Sequence, residues 1–244
     1  MHARMTFVFP MFVLVVLVAV LTLLPACASK DTAPPRTGGG FRPAQIAKSD
    51  IDRVAEAHQQ EIFRNLRLLA EKLYRRNPRE LKKSGQSTID ISVARIFEVH
   101  HGWRFKALSG ARDAQAIQLA LREDFQGDRV LAFTVGLASM IQTAFRDKTE
   151  YFMIDDLDAQ GLHNAARNVE IAVWKLSNAR DARGQLLMLS NESSGPVTNL
   201  SFEREFGKII ASLDILSKIA ADKNNRTVVK VIQTIATAVF LPVK

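Results

Sequence analysis

Few positions in this 244-residue chain bring together side chains able to do chemistry. Asp155, Asp156 and Asp158 put three carboxylates in four residues, and His163 and Glu170 follow at a spacing of seven. Carboxylate oxygens and an imidazole suit a hard or borderline metal ion. The same aspartates suit the start of a helix, where negative charge is favoured, and adjacent aspartates point apart. His100 and His101 supply neighbouring imidazoles ahead of Gly102 and Trp103. Consecutive side chains on extended backbone face opposite ways, which argues against one shared site. A hydrolase or metal-dependent enzyme would have to use the Asp155 to Glu170 cluster or His100-His101. There is no G-x-S-x-G, no P-loop and no G-x-G-x-x-G, so the residues nominate no catalytic, cofactor-binding or metal-ligating set.

Charge offers another candidate. Between Arg64 and Lys83 stand eight basic residues, Arg64, Arg67, Lys72, Arg75, Arg76, Arg79, Lys82 and Lys83, against Glu71 and Glu80. Such density could dock on phosphates of anionic lipid headgroups or another polyanion, or form a solvated helix face. Phe63 and Tyr74 are too few aromatics nearby for a base-stacking surface, so nucleic acid is not an expected partner. The whole chain carries 33 Lys and Arg against 25 Asp and Glu, a net charge of +8.

Amphipathic helices position these residues. Ser49-Asp50 offers an N-cap, and Ile51, Val54, His58, Ile62, Leu66, Leu69 and Leu73 recur at three- and four-residue steps until Pro78 ends the run. Ser87-Thr88-Ile89-Asp90 has the form of a capping box for a short helix through Phe97, with Ile89, Val93, Ile96 and Phe97 inward. A loop from His100 to Leu108 carries Trp103 and Phe105, and Ala114 to Leu121 reads as a short helix. Val130 to Phe145 is uncharged and, at 1.5 Å per residue, about 24 Å long, short of a bilayer core and suited to a central buried helix. Gly136, Ala138 and Ser139 either admit a close neighbour there or are merely tolerated.

Asp158 can cap a helix running to Arg183 and closed by Gly184, with Leu162, Ala166, Val169, Val173 and Leu176 on one face and Ile171 and Trp174 beside it. Phe202, Phe206, Ile209, Leu213 and Leu216 mark another helix, broken at Asp222 to Asn225. Val228, Val231, Ile232, Ile235 and Val239 follow the helical period, which predicts a last helix over Val228 to Phe240. No strand pattern of comparable length occurs. The reading is an all-α, bundle-like single domain over residues 46–244.

The N-terminal part sets the expected compartment. Phe7 to Leu24 is an uncharged run of eighteen residues behind Arg4, and it ends in Leu24-Pro25-Ala26-Cys27. Cys27 is the only cysteine, so no internal disulfide is possible. Residues 28–45, rich in Pro and Gly, read as a tether with a coil span of roughly 20 to 25 Å.

Leu24-Pro25-Ala26-Cys27 resembles the lipobox of bacterial lipoproteins, with Pro25 in place of the commoner Ala or Ser. The resemblance implies a signal peptide over residues 1–26 and a lipidated, tethering segment over 27–45, with the membrane engaged through lipid on Cys27. Ala28, where an aspartate would retain the product in the inner membrane, implies outer-membrane sorting facing the periplasm. Ordinary cleavage to a soluble protein starting at Ser29, or an uncleaved anchor, remains open from the residues. In the body, YRRNPREL from Tyr74 and ARNVEIAVWKLSNARDARGQL from Ala166 are similar to uncharacterised lipoproteins of Gram-negative bacteria. That similarity carries no functional residue. The expected role is a non-enzymatic binding or assembly component, with anionic headgroups or another envelope protein as partner.

Overall fold

A computed structural model describes residues 48–98, 101–152, 155–192, 198–225 and 227–243. The expected signal peptide, Cys27 and the tether lie outside them, as does His100. Seven α-helices make up the described body: α1 (Asp50–Arg76), α2 (Pro78–Lys83), α3 (Ile89–Phe97), α4 (Asp113–Ala120), α5 (Arg129–Ala144), α6 (Ala159–Asn178) and α7 (Ser201–Lys223). The described residues contain no strand, only isolated bridges between Arg180 and Leu186 and between Glu192 and Asn199. Among them no helix is long and apolar enough to cross a membrane.

Local chemistry starts the long helices where the residues say it should. Ser49 accepts a hydrogen bond from the Asp52 amide while the Asp52 carboxylate accepts from the Ser49 amide, a reciprocal cap at the head of α1. Asp158 accepts from the amides of Gln160 and Gly161 at the head of α6. At α3 the cap is Thr88, which accepts from the Ile91 amide, one residue later than a box built on Ser87.

The four long helices close a ring: α1 packs on α5 and α7, and α6 packs on the same two. Helix α4 lies against α5, and α3 against α1. Helix α5 is buried at 15 of its 16 positions, which explains why it carries no charge after Arg129. Gly136 is what lets α4 approach. A Cβ there would stand 2.6 Å from Cγ1 of Ile117, 2.7 Å from the Ile117 nitrogen and 2.8 Å from the Asp113 carbonyl oxygen.

Three expectations are corrected. In the first turns of α1 the inward positions are Asp52, Ala55 and Gln59, while Val54 is exposed, because the cap draws Asp52 inward. Pro78 ends α1 but also opens α2 as its first residue, where the missing N–H has no partner to lose. Helix α6 stops at Asn178, not Arg183, since the Asp181 carboxylate accepts from the amides of Arg183 and Gln185 and folds the chain back, with Gly184 at φ +75°.

The largest correction is at the C-terminus. Residues 227–243 are extended apart from a single 3-10 turn, Ile235–Thr237. The β-branched residues there weaken the helix, and α6 supplies other partners for the backbone. Gln160 accepts from the Val229 amide and donates to its carbonyl. Asn168 does the same for Leu241, and Asn164 donates to the carbonyl of Pro242.

A candidate binding pocket floored by Trp103

The two sequence-derived centres of chemistry are used up by the fold. Asp155 pairs with Lys148 and accepts from the Phe152 amide, and Asp158 is the cap of α6. Arg167 lies between Glu170 at 3.0 Å and Asp214 at 2.7 Å, and His163 stands 4.0 Å from Asp214. Burial and the neighbouring Arg167 hold the His163 imidazole below its ordinary value, while burial raises Glu170. Asp156 is exposed. The cluster is therefore divided between a cap, an ion pair and an inter-helix network, and no group of three or more potential metal ligands occurs among the described residues.

His101 has a structural task. Its Nδ1 accepts from the Trp103 amide at 2.9 Å, so its Nε2 carries the proton and donates to the Ile96 carbonyl at 3.0 Å. Both nitrogens are committed to the backbone, and the ring lies 4.2 Å from that of Phe105. The imidazole thus folds the loop back onto the end of α3.

What it positions is Trp103. Gly102 and Trp103 both have positive φ, 55° and 61°. For a tryptophan this costs about 1–3 kcal/mol, and such strain persists only where its surroundings impose it. The indole stacks on Phe63 of α1 at 5.9 Å and meets Phe97 of α3 edge-on at 6.1 Å. Together they floor a pocket of about 840 Å³, within the range of small-molecule sites. Gln59, Gln60, Arg64 and Arg67 from α1 line it together with Arg112, Gln142, Asp147 and Thr149.

The walls are cationic, three arginines against the single carboxylate of Asp147. Arg64 bonds Glu61 one turn away, and Arg67 meets Glu98 at 2.8 Å. Such exposed pairs are screened by water and exchange readily for a better anion. Arg112 reaches Asp147 only at 3.6 Å, and its buried Nε has no hydrogen-bond partner among the described residues. Comparison with protein-family models, curated proteins and solved structures finds no match to this chain. The pocket's own chemistry therefore carries the functional argument.

The basic run from Arg64 to Lys83 is not one surface. Arg64 and Arg67 belong to the pocket, and Lys72 turns onto α7, where it donates to the Ser201 carbonyl and lies over the Phe202 ring. Arg76 pairs with Glu192 and Lys83 with Glu80. Arg75, Arg79 and Lys82 are exposed and form no ion pair among the described residues. A groove of about 820 Å³ beside Arg75, Arg76 and Arg180 also contains Glu192 and Glu203, a mixed lining less suited to an anion.

Sequence reasoning singled out Trp103 and Phe105 as loop aromatics but did not join Trp103 to Phe63 and Phe97. The available signal was a bulky aromatic after a glycine in a loop between helices, a position with no obvious burial of its own.

Proposed function

We propose that this protein is a lipid-anchored envelope protein whose helical body binds, without chemical turnover, an amphipathic ligand with an apolar or aromatic body and an anionic end. The observation that carries the reading is the Trp103 pocket, an aromatic floor held in a strained loop beneath arginines whose exposed partners are weakly bound. The floor would take the apolar part and Arg64, Arg67 or Arg112 the anion, where a planar guanidinium favours a carboxylate or phosphate. A single-chain carboxylate of moderate length matches both features.

Titration of the full chain carrying Trp174→Phe with decanoate tests this, because Trp103 is then the sole tryptophan. Indole emission shifts as the acid binds, decanol binds more weakly, and Arg64→Gln with Arg67→Gln narrows that difference. Replacing an ionic hydrogen bond by a neutral one changes affinity by about tenfold or more. An unchanged indole spectrum at saturating decanoate, or equal affinity for decanol, refutes the ligand class.

The address is proposed separately, from Leu24-Pro25-Ala26-Cys27 and Ala28: diacylation at the Cys27 sulfur, cleavage before it, and retention on the periplasmic face of the outer membrane. One acyl chain holds only reversibly, whereas two or three hold durably. Mass spectrometry of the mature N-terminus decides this, since an unmodified chain starting at Ser29, or one retaining Met1, excludes lipidation.

A further inference from the structure

Residues 227–243 combine three features that seldom coincide. Several of their aliphatic side chains are unusually exposed, Ile232 at 97% and Val229 and Val239 at 67% each, while Val228, Ala238, Phe240 and Val243 face the body. Their backbone is nevertheless held at fixed points by side-chain amides, each engaging both the N–H and the C=O of one residue. Gln160 does so for Val229, Gln233 for Val239 and Asn168 for Leu241. From Asn224 to Lys244 the sequence holds three basic residues, Arg226, Lys230 and Lys244, and no acidic one; of these, Lys230 is exposed among the described residues.

We propose that this strap is a docking element for an anionic bilayer surface, with Val229, Ile232 and Val239 entering the headgroup region and Lys230 lying among the phosphates. Irregular backbone is excluded from the hydrocarbon of a bilayer, where its unpaired groups lose water, and this opposes deep entry of a loop from the headgroup region. Here the amides of α6 satisfy Val229 and Leu241 from the protein side, and Gln233 satisfies Val239 within the strap. The aliphatic side chains can therefore leave water with less unpaired backbone following them. Basic charge without acidic residues matches an anionic surface, which attracts each exposed lysine within a Debye length. A second copy of the chain would have to offer a complementary apolar face, and Lys230 would oppose a like-charged neighbour. The strap and the Trp103 pocket share no residue, so this proposal stands or falls apart from the ligand reading and from lipid on Cys27.

The test places an environment-sensitive nitrobenzoxadiazole label at Ile232→Cys in the full chain carrying Cys27→Ser, in nanodiscs of phosphatidylglycerol or of phosphatidylcholine. A label at Leu189→Cys, also exposed, serves as reference. At low salt in phosphatidylglycerol the emission of the label at 232 shifts to the blue and is mostly lost to nitroxide-bearing lipids, while that at 189 does neither. In phosphatidylcholine, or after Lys230→Glu, the shift at 232 diminishes. Val229→Asp with Val239→Asp, which changes two exposed positions and leaves the clasped backbone groups in place, reduces it at least about tenfold, as expected for losing two buried aliphatic side chains. A label at 232 that remains in water in phosphatidylglycerol overturns the proposal, as does equal quenching in both lipids. A label shielded without lipid in proportion to protein concentration assigns the strap to a second copy and overturns it as well.

Discussion

The Tyr74 hydroxyl donates a 2.6 Å hydrogen bond to the Asp128 carboxylate, joining the end of α1 to the start of α5 across 54 residues of sequence. The other carboxylate oxygen accepts from the Leu131 amide, so one buried side chain both caps α5 and anchors α1 to it. Tyr74→Phe removes the donor and leaves a buried acceptor unpaired. The expected loss is about 1–3 kcal/mol by urea unfolding, with secondary structure retained. A loss within error of zero would show that water enters and replaces the hydroxyl.

The same carboxylate sets a pH dependence. Burial pushes Asp128 up to about 6, and the hydrogen bonds from Tyr74 and Leu131 offset only part of that rise. Between the ordinary aspartate value and about 6, the folded protein binds the proton and the unfolded chain releases it. The contribution of Asp128 is therefore fully present below the unfolded value and is lost as pH rises through about 6. Asp128→Asn, which keeps an acceptor for Leu131, flattens the fall in unfolding free energy between pH 4 and 7. An identical slope in wild type and variant would contradict the assignment.

Arg129 is the fastener of the α4–α5 connection. Its guanidinium donates to the carbonyls of Ala120, Arg122, Glu123 and Phe125, while its amide donates to the buried carboxylate of Glu80. Arg129→Met leaves the four carbonyls without this donor and is expected to cost about 3 kcal/mol or more. Arg129→Lys recovers only part, because an ammonium cannot span four acceptors arranged for a planar fork. Full recovery of wild-type stability by Arg129→Lys would mean that charge, not geometry, is what matters.

Gly136→Ala sets two effects against each other. Alanine favours a helix interior by about 1 kcal/mol, but the new methyl would meet two backbone atoms within 2.8 Å. Backbone gives way less readily than a side-chain tip, so α4 must shift, and net destabilisation of about 1–3 kcal/mol is expected in thermal melts. A raised melting temperature would show that α4 moves freely on α5.

Asn168→Ala separates the strap from the fold. It removes both hydrogen bonds to Leu241, so amide exchange near Leu241 accelerates while exchange in α5 and the global unfolding free energy change little. Equal acceleration in α5 would make the strap part of the cooperative core.

What the sequence determined by itself was local or nearly so. Ser49 and Asp158 announced their helices because a cap is a contact between residues two or three apart. The uncharged run from Val130 announced a buried helix, since a segment without charge has no face for water. All-α architecture followed from the period of Leu66, Leu69, Leu73 and their equivalents, which repeats too consistently to suit strands. Tertiary structure decided what depends on partners distant in sequence. Val228 to Phe240 keeps a helical period, yet Gln160 and Asn168 offer its backbone alternative hydrogen bonds from 69 and 73 residues away. Arg64 and Lys83 belong to one basic run, but the break at Asn77 and separate partners put them to different uses. The pocket depends on the packing of α3 on α1, which sets Phe63 and Phe97 at 5.9 and 6.1 Å from Trp103, and on the pairing of His101 with two backbone groups, which holds the Trp103 loop. Caps and periodicity act over a turn or two and can be read along the chain, whereas an aromatic floor assembled from two helices and a loop depends on packing, which no short stretch of residues encodes.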